Sequence, residues 1–193
     1  MVKEYDSIVH NDVWDVVPRP VGKSVVTSRW LYKTKFAADG SVEKHKARFV
    51  ARGFSQIEGV DYDETFAPVA RYTSIRTIIA IAAEMGWCIH QMDVKITFLN
   101  GFIEEEVYIE QPQGFEVSDR ETHVCLLRKA LYGLKQAPRA WYSRIDTYLL
   151  QMGFEKSDAD PNLYFIIRGE DTLILTFSVC MWMIYSSLEP RIS

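Results

Sequence analysis

Polar and apolar residues alternate through SRWLYKTKF (28–36). Trp30, Tyr32, Thr34 and Phe36 fall on one side and Arg29, Leu31, Lys33 and Lys35 on the other, which is the period of a β-strand. Asp39-Gly40 supplies a hairpin turn signal, because glycine tolerates positive φ. KARFVAR (46–52) reads as the return strand, with Ala47, Phe49 and Ala51 opposing Lys46, Arg48, Val50 and Arg52, so the ribbon should carry a basic face. The period then becomes helical: Ile75, Ile78, Ile79 and Ala82 recur at i, i+3, i+4 and i+7, with Thr73 or Ser74 to cap the start and Gly86 to end it. This predicts a buried amphipathic helix. WCIHQMDVKITFL (87–99) follows, apolar and β-capable but interrupted by His90, Gln91, Asp93 and Lys95. Pro138 opens a second helix with Trp141, Ile145, Tyr148, Leu149 and Met152 on one stripe and Gly153 closing it. After Pro161, NLYFIIRGEDTLILTF reads as a hairpin about Gly169-Glu170-Asp171. Hairpins mixed with isolated helices predict an α+β fold, an antiparallel sheet with packed helices.

Composition narrows the class. The 193 residues, 48% apolar and 25% charged, suffice for a real core and exclude wholesale disorder. No repeat or low-complexity tract appears. Lys3 and Glu4 rule the N-terminus out as a signal peptide, and the longest apolar stretch, 173–185, is too short to span a membrane. Cys88, Cys125 and Cys180 are odd in number, far apart and without metal-ligand spacing, so a reducing, intracellular setting is expected. A net charge of -4 argues against a free-standing nucleic-acid binder, but the distribution says more than the sum. Lys23–Arg52 is strongly basic, broken only by Asp39 and Glu43, and Arg128–Arg144 holds five cations and no acid. Glu104–Glu121 between them is acidic. Such a chain can bind a polyanion on one face while staying acidic overall, although basic runs are equally well simple solvated faces.

Asp93 lies in the apolar run IHQMDVKITF, where an unpaired ionised carboxylate is costly. It must face water, pair with a cation such as Lys95, or bind a metal. Longer motifs carry more information. WLYKTK (30–35), DGSVEKHKARFVARGFSQIEGVDYDETFAPVAR (39–71), QMDVKITFLNGFIEEEVYIEQPQGF (91–115) and LYGLKQAPRAWY (131–142) stand in one order along the chain. With them the chain, from about Tyr5 to about Phe177, closely resembles the reverse transcriptase of copia-type (pseudovirus) LTR-retrotransposon Pol polyproteins. The resemblance implies a right-hand polymerase fold, with fingers over about 20–72 and 100–137 and a partial palm over about 73–99 and 138–179. It implies Asp93 as the first catalytic carboxylate and a ligand of an Mg²⁺ (or Mn²⁺) pair that activates the primer hydroxyl and stabilises the leaving pyrophosphate. Phe98 resembles the aromatic gate that excludes a ribose 2′-hydroxyl, a role compatible with a place in the core. Lys46, Arg48 and Arg52 resemble the basic fingers strand that cradles the incoming triphosphate. Gly133, Lys135, Gln136 and Pro138 match the segment lining the nucleotide pocket and template. Gly133 and Gln136 fall to the nucleotide, and Lys135 with Arg139 to the template. In DYDETFAPV, the carboxylates Asp61, Asp63 and Glu64 are read as structural. The implied partners are an RNA/DNA primer–template and a deoxynucleoside triphosphate, with no membrane, in the cytoplasm or nucleus; the oligomeric state stays open.

The family pattern is broken in two places. Ile96-Thr97 stand before Phe98 where the family has small residues. More seriously, the Tyr-Val-Asp-Asp hairpin expected after LILTF, source of the other two metal-binding aspartates, is missing: the chain reads FSVCMWMIYSSLEPRIS, with no acid before Glu189. The genetic code suggests why. Cys180-Met181-Trp182-Met183-Ile184 must read TGY-ATG-TGG-ATG-ATH, and starting at the last base of the cysteine codon gives Tyr or His, then Val-Asp-Asp. Residues from about Val179, and 180–193 throughout, are therefore expected to be an out-of-frame tail, in a chain that ends before the thumb and any ribonuclease H domain. The expectation is a reverse transcriptase fragment without polymerase activity. The alternatives are a non-catalytic nucleic-acid-binding remnant and a functionless degenerate product.

Overall fold

The computed structural model describes residues 1–94, 96–169, 171–178 and 181–186. In chain order its first elements are α1 (Val2–His10), β1 (Trp14–Val17), β2 (Val25–Val26), β3 (Ser28–Phe36), β4 (Val42–Ala51), α2 (Tyr72–Met85) and β5 (Cys88–Asp93). Then come β6 (Tyr108–Glu110), β7 (Val124–Leu127), α3 (Ala137–Gln151), β8 (Glu155–Lys156), β9 (Leu163–Arg168), β10 (Asp171–Ser178) and β11 (Met181–Ser186). The mixture is α+β, as the sequence patterns predict. The chain divides into two compact units, Met1–Phe66 with Phe98–Trp141, and Ala67–Thr97 with Tyr142–Ser193. No helix among the described residues is long and apolar enough to cross a membrane.

The first unit holds a sheet of order β1-β7-β6-β2, in which β7 runs antiparallel to both neighbours and β2 pairs parallel with β6. Its buried side chains include Ile8, Val13, Val26, Leu99, Val107, Ile109, Val124 and Leu131. The four short strands and α1 carry little periodic signal, and the sequence patterns did not anticipate them. In hindsight Tyr5 and Ile8, three apart, mark the inner face of α1: Ile8 is buried, and Tyr5 stacks on Phe115 at 4.4 Å between ring centroids. The β3–β4 ribbon forms a separate two-stranded sheet around the expected turn, with Gly40 at φ 83° and the Asp39 carboxylate accepting from Ser41 N at 2.9 Å. The return strand starts at Val42, four residues earlier than its basic pattern suggested.

The second unit is built on an antiparallel sheet of order β5-β11-β10-β9-β8. Two expectations for α2 need correction. Neither Thr73 nor Ser74 caps its start: the N-cap is Arg71, and a carboxylate from outside the helix, Asp160, accepts from Arg71 N at 3.0 Å and from the Ser74 hydroxyl. Nor is the whole apolar stripe buried. Ile78 and Ala82 pack with Trp87, Leu163 and Ile174, whereas Ile79 and Ile81 are about two-fifths exposed, because a helix lying on one side of a sheet can bury only part of so wide a stripe. On α3, likewise, Trp141, Ile145 and Leu149 are buried while Tyr148 and Met152 are exposed. Gly86 (φ 66°) and Gly153 (φ 88°) end α2 and α3 in the left-handed conformation glycine favours. The β-capable run 87–99 also needs correction, since strand geometry stops at Asp93 and Thr97–Asn100 forms a 3₁₀ turn. Ile96 has φ 52°, a region a β-branched residue rarely enters, and it cannot continue a strand.

Candidate nucleic-acid and nucleotide interface

The ribbon register defines a charged face. Lys33 lies opposite Lys46, Lys35 opposite Lys44, and Leu31 opposite Arg48. Like charges directly opposite across two strands repel, so the ribbon folds against its own electrostatics there. The other face carries Trp30, Tyr32 and Thr34 opposite Phe49, Ala47 and His45. Its apolar end is held by the rings of Trp30, Phe49 and Phe115, with centroids 5.1 Å and 5.6 Å from Trp30. Burial of Lys46 lowers its pKa, and Arg48 beside it lowers it further.

Several residues expected at a site meet where β4 ends. Ala51 N donates to Tyr132 O at 2.8 Å, tying the strand to the LYGLKQ turn. The backbones there are too close for any side chain. A Cβ on Gly133 (φ 93°) would fall 2.1 Å from Ala51 O, and one on Gly53 would fall 2.1 Å from Gly133 O. Against this seam Arg48 sits over the Tyr132 ring at 5.0 Å, and Phe98 meets the same ring edge-on at 5.1 Å. Gln136 is buried (2% exposed): its amide donates to Asp61 O at 3.0 Å and accepts from Gln56 Nε2 at 3.1 Å. The Gln56 carbonyl in turn accepts from Lys135 N at 2.9 Å. Lys135 Nζ donates to the Tyr62 hydroxyl at 3.1 Å, and Arg139 pairs with Glu64 at 3.3 Å. Asp61 is buried and accepts from Ile57 N at 2.8 Å. The acidic segment thus acts as a brace under the turn, and Gln56 and Tyr132 are residues of this cluster that sequence reasoning passed over.

Arg52 does not join Lys46 and Arg48. It lies one residue beyond β4, its N–H donates to Thr27 O at 2.8 Å, and it lines a separate cleft of about 460 Å³ with Trp30, Phe49 and Glu110.

Asp93 belongs to the second unit. It ends β5, with Met181 of β11 as its register partner and Trp182 opposite Met92. Lys95, Val179, Cys180 and residues 187–193 lie outside the described residues, so the ion pair considered for Asp93 and most of the expected out-of-frame tail do too. Divalent magnesium and manganese take oxygen ligands. The neighbours of Asp93 in sequence and register, Met92, Val94, Met181 and Trp182, bring none from a side chain. Among the described residues no group of three or more His, Cys, Asp or Glu is arranged to hold a metal ion. Among the described residues, those beside Asp93 do not fit a two-metal centre.

One unit thus carries a basic ribbon braced on a turn-and-helix segment, and the other an antiparallel sheet in which Asp93 ends β5. The family model described as reverse transcriptase (RNA-dependent DNA polymerase) matches residues 11–190, and the chain belongs to that family. It is 46% identical over 91% of its length to the retrovirus-related Pol polyprotein from transposon RE2 of Arabidopsis thaliana, and 43% identical over 91% to that from transposon TNT 1-94 of Nicotiana tabacum. Similarity extends to the transposon Ty1-H Gag-Pol polyprotein of Saccharomyces cerevisiae, at 32% identity over 81% of the chain. The chain spans 12%, 13% and 8% of these relatives. No solved structure matches it significantly.

Proposed function

We propose that the chain is the fingers and part of the palm of a copia-type RNA-directed DNA polymerase, able to engage a phosphate backbone but unable to polymerise. The observation that carries this reading is the register around Asp93, which brings Met181 and Trp182 to the strand beside it. Two-metal nucleotidyl transfer needs several carboxylates converging on the ions, and one aspartate leaves their charge unsupported. The shifted reading frame supports the same conclusion. It restores two aspartates at, or within a residue of, positions 182 and 183, on the strand that pairs with β5. The division into two compact units runs close to the fingers and palm ranges that the resemblance implies, and supports that assignment too.

In this reading Lys46 and Arg48 draw the triphosphate or the template backbone to the ribbon. Phe98 and Tyr132 form an aromatic wall beside them, and Lys135 and Arg139 extend the basic surface. Gly133 and Gln136 contribute by fixing the turn: Gly133 because nothing larger fits, Gln136 because both ends of its amide are engaged. The parent enzyme's Mg²⁺ would not be bound productively here.

The test is primer extension on poly(rA)–oligo(dT) with Mg²⁺ or Mn²⁺, comparing the chain, Asp93→Ala, and a version carrying the restored frame through palm and thumb. We expect no incorporation by the chain and clear incorporation by the restored version. Incorporation by the chain that disappears in Asp93→Ala would show that other carboxylates complete the site and would overturn the reading. The like-charged pairs across the ribbon, which a polyanion would relieve, favour a non-catalytic nucleic-acid-binding remnant over a functionless degenerate product.

A further inference from the structure

Among the described residues no strand pairs with the outer edge of β4, and α1 packs against that strand. From that helix the Glu4 carboxylate accepts the backbone N–H of Phe49 and stands within electrostatic reach of both Lys46 and Arg48. Among the described charged groups that act on Lys46, Glu4 is the acid and Arg48, Lys35 and Lys44 are cations. A cleft of about 390 Å³ runs along this edge, lined by Met1–Glu4 of the helix side and Lys44–Ala47 of the strand. Desolvation in this half-buried place raises the pKa of Glu4, while Lys46, Arg48 and the Phe49 N–H pull it down, and its oxygens beside two cations stand where a phosphate oxygen would be drawn.

Resting on the reading of the ribbon given above, we propose that α1 is a carboxylate latch. Glu4 holds the Lys46–Arg48 edge until a phosphate chain displaces it, so the helix competes with the ligand and sets the affinity of the basic face. The phosphate chain of a nucleoside triphosphate and the backbone of a primer–template share this chemistry, and both are tested.

Glu4→Gln isolates the charge, because the amide oxygen can still accept the Phe49 N–H. The full chain and this variant are titrated with fluorescein-labelled poly(rA)–oligo(dT) and, separately, with inorganic tripolyphosphate, while amide exchange is followed over residues 2–10. The latch predicts that Glu4→Gln tightens primer–template binding roughly threefold at low salt, the order expected for one charge pair near the surface. It predicts faster exchange in α1 of the unaltered chain when a phosphate-bearing probe binds. Acceleration by tripolyphosphate assigns the edge to the triphosphate, and acceleration by primer–template alone assigns it to the backbone. Unchanged or weaker binding by Glu4→Gln, or α1 exchange unmoved by either bound probe, would overturn the latch. Lys46→Ala/Arg48→Ala separates this from the underlying reading: losing about two from the salt slope means that the basic face is real. If that double variant binds like the unaltered chain, both ideas fall.

Discussion

The β3–β4 ribbon and the β10–β11 pair share one arrangement, two antiparallel strands consecutive in the chain, and differ in what their facing positions carry. In the ribbon, cations face cations at Lys33–Lys46 and Lys35–Lys44. In the β10–β11 pair, Leu175 is in register with Ile184, Phe177 with Trp182, and Ser178 with Met181. Across two strands the first arrangement is unfavourable by local rules, and the second sets no like charges opposite one another. A surface that opposes its own stability is one that a ligand can relieve. On our reading, the binding half of the polymerase keeps its chemistry in this chain, and the metal-binding half keeps only its backbone.

The comparison can be broken first at its scaffold. Gly133→Ala puts a methyl 2.1 Å from Ala51 O at a φ of 93°, and should cost roughly 3 kcal/mol or more. Calorimetry should show the transition involving the ribbon shifted down, with primer–template binding weakened alongside it.

In the second unit the corresponding lever is Asp160. Its carboxylate is buried; desolvation pushes its pKa up, but hydrogen bonds from Asn162 N, Arg71 N and the Ser74 hydroxyl outweigh this and hold it below its ordinary value of 3.8. The depressed value means that its contribution to stability is present above that ordinary value and is lost as pH falls through the folded-state one. Asp160→Asn should therefore lower stability by about 2 kcal/mol at neutral pH and flatten the acid limb of the stability curve. An unaltered acid limb would mean that the cap on α2 is not electrostatic.

Smaller effects sharpen the contrast. Ile96→Asn relieves a left-handed β-branched residue and should stabilise the second unit by about 1 kcal/mol in denaturant titration. Lys33→Glu replaces repulsion with attraction opposite Lys46 and should stabilise the ribbon by about 0.5 kcal/mol, yet weaken primer–template binding. Opposite signs for stability and binding at that one residue would mark a functional face, whereas a solvated surface would gain stability and lose nothing.

The sequence made the ribbon readable because its period, its Asp39-Gly40 turn and its alternating charges agree with one another. The two long helices were readable for a similar reason, each ended by a glycine in the left-handed conformation. The short strands β1, β2, β6 and β7 were not, since two to four residues cannot display a period. The end of β5 was missed because residue composition says nothing of the positive φ at Ile96. At the site, Arg48 and Phe98 were legible as residue types in known motifs, but their meeting at Tyr132 needed the fold. Arg52 was grouped with Lys46 and Arg48 by alternation, which ceases to apply one residue beyond the strand. Gln136 is the instructive case: its motif marked it for attention, and the structure shows an amide fully engaged in bracing the turn.

The central claim is that phosphate binding survives in this chain without a working metal centre. Its most direct test is fluorescence anisotropy of labelled poly(rA)–oligo(dT) with the full chain, in Mg²⁺ and then in excess EDTA at matched ionic strength. The account predicts binding that weakens steeply with salt and is the same in both conditions. Binding that requires Mg²⁺, and loses that requirement in Asp93→Ala, would contradict it.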